Sequence, residues 1–439
     1  MKKILMINTL PINNFGETNK VKRTAGNQTL YNTLKGYSEN GYDVTMLTFC
    51  DVPKESKPFP NITVKRSRFL KIFNFLLKTK QKLLFIKRIR KEKSDKVTTD
   101  ISVKGSTFLF KFWEVFGYLE GLSIAKKNKA DLIYGYEIYS TRPSKRIADK
   151  IGVPSVSRFQ GTELSFYLNE PDKFEKSMPY ILGTKVPTDL VIMANDGTQG
   201  DEILVRLGVD INKVRFWVNG LTDKNKYLNY KKEGNYKGIL GIPEDAFVIC
   251  TANRFVDWKR IDRIIKVVHE LTKKNQNVYL VAIGDGPEKM ALAHLVSSLN
   301  LKNNVIFTGT LEHAETIYHI ANADLYITLN EGGNLGNSVL EALALGTAVC
   351  TLRNNSVEKV LMDGYNAILF NTVDEQKISS QIYKLVENRE MIENIKVNAR
   401  NYAESKLLSW SDRMFLEVET ISELIEKSKK RKLSTNLQK

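Results

Sequence analysis

Short apolar runs alternate with helix-length amphipathic stretches along most of the chain, and the whole pattern occurs twice. The first set is Ile4-Leu5-Met6-Ile7, Val44-Thr45-Met46-Leu47, Leu132-Ile133-Tyr134, Ser155-Val156-Ser157, Leu190-Val191-Ile192-Met193 and Val214-Arg215-Phe216-Trp217-Val218. After a polar Lys/Asn/Tyr-rich stretch at 221–237 it restarts with Phe247-Val248-Ile249-Cys250, Val278-Tyr279-Leu280-Val281-Ala282-Ile283, Val305-Ile306-Phe307, Leu325-Tyr326-Ile327, Ala348-Val349-Cys350 and Ala367-Ile368-Leu369-Phe370. Apolar runs separated by amphipathic helices, such as 260–273 and 286–299, are the mark of strands buried on both faces. Each set therefore predicts a mostly parallel α/β sheet covered by helices on both sides. At 439 residues the chain exceeds what one ordinary core covers, and two such domains account for the length. The expected division is 1–215, 216–400 and a helical segment with a basic tail at 401–439, whose last dozen residues are read as frayed.

Several classes are excluded at this level. No apolar run of about 18 residues is present, and the first apolar run is too short for a signal peptide, so it reads as a buried first strand. Cys50, Cys250 and Cys350 are far apart and show no metal-ligand spacing, which suits a reducing cytoplasm. The net charge of +17 calls for an anionic partner: nucleic acid, a lipid surface or a phosphorylated substrate. Much of the excess is local, because 65–96 holds thirteen Lys/Arg against Glu92 and Asp95. Phe69, Ile72, Phe73, Leu76, Leu77, Leu83 and Leu84 recur among these cations at three- and four-residue spacing. That pattern fits an interfacial helix on the inner face of the plasma membrane, and equally a core helix with a solvated basic face. No nucleic-acid module or aromatic-basic platform accompanies the charge, so no nucleic-acid partner is expected.

In doubly wound sheets ligands bind beyond the carboxyl ends of the strands, so the loops there are the places to look for chemistry. The run ending at Cys250 leads into Thr251-Ala252-Asn253-Arg254-Phe255-Val256-Asp257-Trp258-Lys259, followed by an amphipathic helix. Arg254 and Lys259 thus lie between a strand end and a helix N-terminus, where free amides and the dipole also favour an anion; a solvated basic turn is the other reading. A second loop, Asn330-Glu331-Gly332-Gly333-Asn334-Leu335-Gly336-Asn337, joins a strand to another helix. Its glycines allow close backbone approach, and Glu341 in the first turns of that helix can accept bonds from two ribose hydroxyls. Gly284-Asp285-Gly286-Pro287 closes a further strand, and Gly16 follows the first one; both also fit plain turns.

Taken together, Asn219-Gly220, Arg254 and Lys259 five apart, Gly284-Asp285-Gly286-Pro287, Phe307-Thr308-Gly309 and Glu341-Ala342-Leu343-Ala344-Leu345-Gly346-Thr347 resemble the GT4-like retaining glycosyltransferases of GT-B fold. The agreement in order and spacing runs over about 210–370. The resemblance implies two facing Rossmann-like, doubly wound domains with an interdomain cleft, the first serving the acceptor. It implies a nucleotide-sugar co-substrate, UDP-linked by preference, with no separate cofactor and no required metal. Arg254, Lys259 and Glu341 would serve catalysis. Gly333, Asn334, Leu335, Gly336, Asn337, Gly284, Thr310 and Gly16 would surround the donor, and Gln160, Glu163 and Glu331 would lie on the acceptor side.

Two departures bear on activity. The family often carries two glutamates eight apart, but the position eight before Glu341 is Gly333, and Glu331 lies two residues too early. The family's N-terminal histidine appears as Gln160, which cannot act as a base, although front-face transfer can pass the acceptor proton to the leaving phosphate. The expected function is transfer of a hexose or N-acetylhexosamine to a bacterial surface glycan or lipid-linked acceptor. The alternative is a non-catalytic accessory subunit of a partner transferase. The four histidines, His269, His294, His313 and His319, are read as surface or packing residues.

Overall fold

The computed structural model describes residues 1–9, 28–50, 52–72, 75, 99–232 and 234–437, with side chains omitted at 99–110 and 435–437. Its strands are β1 (Lys3–Asn8), β2 (Asp43–Thr48), β3 (Glu55–Phe59), β4 (Ile62–Arg66), β5 (Leu132–Tyr136), β6 (Ser155–Phe159), β7 (Leu190–Ala194), β8 (Val214–Trp217), β9 (Phe247–Ala252), β10 (Val278–Ile283), β11 (Val305–Gly309), β12 (Leu325–Thr328), β13 (Ala348–Leu352) and β14 (Ile368–Phe370). Every apolar run picked out in the sequence falls on one of them, with only Val218 and Ala367 lying one residue outside. Among the described residues they form two sheets, ordered β3-β4-β2-β1-β5-β6-β7-β8 and β11-β10-β9-β12-β13-β14. Pairing is parallel throughout except between β3 and β4. This is doubly wound α/β architecture, present twice.

The strands are buried because both faces are covered. Leu132, Ile133, Tyr134 and Tyr136 in β5, and Val248, Ile249 and Cys250 in β9, are inaccessible to solvent. Helix Ile261–Thr272 buries Ile264, Ile265, Val267, Val268 and Leu271 along one side of the second sheet. Helix Asn337–Leu345 is buried from Val339 to Leu345 on the other, and Gly346 ends it in the left-handed conformation that glycine adopts without strain.

The hairpin β3-β4 has no apolar run long enough to announce it. Glu55-Ser56-Lys57-Pro58-Phe59 tolerates its proline because it is the edge strand, where one row of backbone donors needs no partner. The hairpin also corrects the reading of the basic stretch. Lys65 and Arg66 belong to β4, with Lys65 paired to Glu55 at 3.5 Å, and are not on a helix. Phe69 turns inward against Phe116, ring centroids 4.6 Å apart. Phe73 and the residues from Leu76 to Lys96 lie outside the described residues.

The chain divides into two compact units at places that the strand pattern does not mark. One unit comprises Met1–Ala194, Gly200–Trp217 and Ser411–Lys439; the other comprises Asn195–Gln199 and Val218–Trp410. The helix Trp410–Leu437 continues well past the point at which fraying was expected, and from Ser411 onward it packs into the first unit. Met414, Ile421 and Ile425 are buried there, and Gly36 makes room for Met414.

A buried charge ties that helix in place. Glu417, fully inaccessible, is paired with Arg158 and with Arg413 at 3.3 Å, and accepts bonds from the hydroxyls of Tyr37 at 2.9 Å and Tyr134 at 2.8 Å. Burial alone would raise the Glu417 carboxyl, but the two guanidinium groups and the hydroxyl donors outweigh it and hold the acid below its ordinary range. Glu417→Gln would leave two cations buried without a counter-charge. It is expected to lower the free energy of unfolding by about 3–5 kcal/mol, read as a lower urea midpoint at unchanged slope.

Candidate functional site

β9 is central in the second sheet, between β10 and β12, so the chain leaving it emerges among the strand-end loops of its neighbours. Asn253 N donates to Ile283 O at 3.0 Å, Phe255 N to Asp285 O at 2.9 Å, and Glu288 N to Phe255 O at 3.1 Å. Gly284 N in turn donates to Gly309 O at 2.9 Å. Gly284 has φ +138°, and a Cβ on it would come within 1.8 Å of Asn253 O, so no other residue fits this contact. The loops after β9, β10 and β11 are therefore one hydrogen-bonded assembly. Thr310 follows Gly309 at its exposed edge.

Within that frame the cations sort themselves. Arg260, in left-handed conformation at the start of helix Ile261–Thr272, makes two 3.0 Å bonds to Asp262 and one of 2.9 Å to Glu331. Arg263 is spent on Leu329 O at 2.8 Å. Arg254 is exposed, and neither it nor Lys259 forms an ion pair among the described residues. Lys259 ends the short turn Asp257–Lys259, half-buried, with its ammonium 4.2 Å from the Trp258 ring centroid. Burial lowers its pKa to about 8, with the nearby Asp196 opposing the shift. It is a cation held without full compensation.

The glycine-rich turn packs against this loop. Glu331 N donates to Trp258 O at 3.0 Å, while Asn330 and Asn334 brace the turn through bonds of 2.9–3.1 Å to each other and to Gly333 O. Gly333 has φ +71°, and Gly336, the residue before helix Asn337–Leu345, has open space where a Cβ would be. Asn337 accepts from Asn219 at 3.2 Å. Glu341 is buried and shares a 2.9 Å hydrogen bond with His313 Nε2 through Oε1.

A segment from the first half of the chain completes the floor. Leading directly out of β7, Asn195–Gln199 belongs to the second unit. Asp196 O accepts from Leu335 N at 2.8 Å, Asn354 Nδ2 donates to Gly197 O at 2.9 Å, and Asn195 Nδ2 donates to Ser356 O at 2.9 Å. Gly197, at φ +86°, packs so closely that a Cβ would sit 2.8–2.9 Å from the backbone nitrogens of Leu335 and Asn334. The Asp196 carboxylate accepts from Thr198 N at 3.0 Å and from its hydroxyl. Burial raises the acid to about 6 against those hydrogen bonds and the field of Lys259.

The structure thus gathers Arg254, Lys259, Gly284, Thr310, Gly333 to Asn337 and Glu341 at the carboxyl ends of one sheet. Glu331 is in the same unit, taken by Arg260. Gln160 and Glu163 belong to the other unit, at the end of β6. There Gln160 N donates to Glu137 Oε1 at 2.8 Å and its amide donates to the Tyr136 hydroxyl. Glu163 opens a short turn capped by Thr162 and is hydrogen-bonded by Tyr180. Gly16 lies outside the described residues. Sequence reasoning missed two residues. The sequence pattern reads His313 as a surface or packing residue, and nothing in it announces the bond to Glu341. Asp196 does follow a buried strand and precede a glycine, but only the tertiary fold brings it to the second sheet.

Residues 232–402 match the family model "Glycosyl transferases group 1". The chain is similar to an uncharacterised glycosyltransferase of Methanocaldococcus jannaschii, 26% identical over 229 residues, covering 52% of this chain and only about half, 54%, of that protein. It is 23% identical to alpha-monoglucosyldiacylglycerol synthase of Acholeplasma laidlawii, over 88% of this chain and 92% of that one. Among solved structures it resembles Anabaena HepE in complex with UDP-glucose, with a TM-score of 0.67 at 16% identity over 96% of this chain and 99% of the other. The match over 232–402 takes in the site-bearing loops and is to the group 1 glycosyl transferases, with which the GT4-like relatives agree, and the two doubly wound sheets have the fold of the GT-B glycosyltransferases.

Proposed function

We propose that the protein transfers a hexose or N-acetylhexosamine, with retention of configuration, from a nucleotide-sugar to a surface glycan or lipid-linked acceptor. UDP is the favoured nucleotide. The observation that carries this reading is the pairing pattern around β9: Arg260 is ion-paired with Asp262 and Glu331 and Arg263 is buried against the Leu329 carbonyl, whereas Arg254 and Lys259 form no ion pair among the described residues and can meet an external anion. A diphosphate fits that demand. The glycine-rich turn and the helix start at Asn337 add backbone donors without adding bulk. Glu341, oriented by His313, accepts hydrogen bonds from ribose hydroxyls.

Cleaving the bond between the sugar's anomeric carbon and its phosphate oxygen pushes negative charge onto the leaving diphosphate. Preorganised cations at that point stabilise the transition state by about 3–4 kcal/mol each. The acceptor hydroxyl attacks from the same face and passes its proton to the departing phosphate oxygen, so Gln160 need not act as a base. Arg254→Ala and Lys259→Ala are each expected to lower kcat about 10²–10³-fold, with thermal melting nearly unchanged, in a transfer assay with UDP- and GDP-sugars. Isothermal titration separates the rival reading suggested by Gln160 and Gly333: failure to bind UDP or GDP would leave an accessory subunit.

Lys259 also gives the reaction a pH dependence. An ordinary lysine stays charged to pH 10.5, but this one loses its proton near pH 8 in the donor-free protein. The diphosphate selects the ammonium, so donor binding above pH 8 must be accompanied by proton uptake. The donor KM is expected to rise as pH climbs through 8, and Lys259→Arg, which stays charged, should flatten that limb of the profile.

A membrane-bound acceptor is supported by the density of cations at 65–96, and by similarity to an enzyme whose name specifies a diacylglycerol lipid. No helix among the described residues is long and apolar enough to cross a membrane. Near an anionic leaflet each cation contributes about 1 kcal/mol. Replacing the lysines between 78 and 96 with glutamine is expected to abolish co-flotation with phosphatidylserine vesicles while leaving UDP affinity unchanged.

A further inference from the structure

The sequence leaves a gap where the family often has an acid: position 333 is glycine. The structure shows what stands beside that gap. A Cβ built on Gly333 would lie 3.8 Å from Asp196 Oδ2 and 3.7 Å from Thr198 Cγ2. The carboxylate of Asp196 therefore borders the space into which a side chain at 333 would project, though it arrives from a segment 137 positions earlier in the chain. We propose that Asp196 is a specificity-determining residue of the donor site, supplying from the β7 loop a carboxylate that accepts hydrogen bonds from hydroxyls of the transferred sugar.

Four observations carry this assignment. Asp196 is positioned from both ends: its carbonyl holds Leu335 N at 2.8 Å, and its Oδ1 is held by Thr198 at 3.0 Å from the backbone. Both bonds from Thr198 end on Oδ1, and Oδ2 is the oxygen that faces Gly333. Neighbouring acids are already spent, Glu331 on Arg260 and Asp285 on Lys289 and Gly286 N. Lastly, Asp196 is the charge whose field reaches Lys259, yet the two form no ion pair, so both remain available to parts of one ligand. A sugar diphosphate has that polarity, anionic at one end and rich in hydroxyl donors at the other.

The inference rests on the nucleotide-sugar reading of the Arg254 and Lys259 site, and titration calorimetry tests the two separately. The probes are UDP, UDP-glucose, UDP-N-acetylglucosamine, GDP, GDP-mannose and the monodeoxy analogues of whichever sugar nucleotide binds most tightly. Asp196→Asn keeps an acceptor for Thr198 and removes the charge. The readout is the ratio of sugar-nucleotide to nucleoside-diphosphate affinity, which cancels what the lost charge does to the diphosphate subsite through Lys259; that ratio is expected to fall roughly 10–100-fold, as for a lost hydrogen bond to a charged group. One deoxy analogue should bind the variant and the unaltered protein equally, which a merely structural role would not produce. Should Asp196→Asn melt early, Thr198→Val lets the carboxylate turn without altering the charge, and is expected to lose the same discrimination by a smaller factor. Unchanged discrimination among the deoxy analogues in the variants would overturn the assignment and leave the donor site standing. Failure of the unaltered protein to bind any nucleotide would overturn both.

Discussion

Backbone hydrogen bonds among the loops leaving β9, β10 and β11 are the constraint from which the site follows. Because Phe255 is bonded to both Asp285 and Glu288, and Gly284 to Gly309, these loops cannot move independently of the sheet beneath them. Catalysis by electrostatic stabilisation needs charges that are already in place before the reaction, since reorganising them would consume the gain. A loop laced to its neighbours meets that need, where a freely hinged loop would not. The close packing of Gly284 on Asn253 is the steric condition for the lacing.

On that fixed backbone, selective neutralisation gives the cations their meaning. Four basic side chains occur between positions 254 and 263, and a count of charge would treat them alike. Asp262, Glu331 and the Leu329 carbonyl remove two of them from consideration. What remains is an exposed guanidinium and a half-buried ammonium whose proton is already loosened by desolvation. On the proposed reading, an anion arriving there replaces lost hydration and moves the Lys259 pKa back up toward its ordinary value.

The last helix and the loop after β7 show how far tertiary structure departs from linear order. The last helix runs back into the first unit, where Glu417, already paired with Arg413 one turn earlier on its own helix, meets the Arg158 guanidinium and the phenols of Tyr37 and Tyr134. The loop after β7 builds into the second unit through Asn195, Asp196 and Gly197. In both cases a short polar segment is captured by partners more than a hundred residues away.

The sequence by itself determined the doubly wound class, the strands of both sheets apart from the β3-β4 hairpin, and the location of Arg254, Lys259 and Glu341 at strand ends and helix starts. It could do so because burial on both faces writes a continuous apolar run, and because helix and strand periods are local properties. Only the tertiary structure decided that Lys65 and Arg66 are in an edge hairpin, that Glu331 serves Arg260, that His313 orients Glu341 and that Asp196 stands at Gly333. Those facts depend on which side chains meet across long separations, and hydrogen-bonded polar contacts of that kind leave no period in the chain.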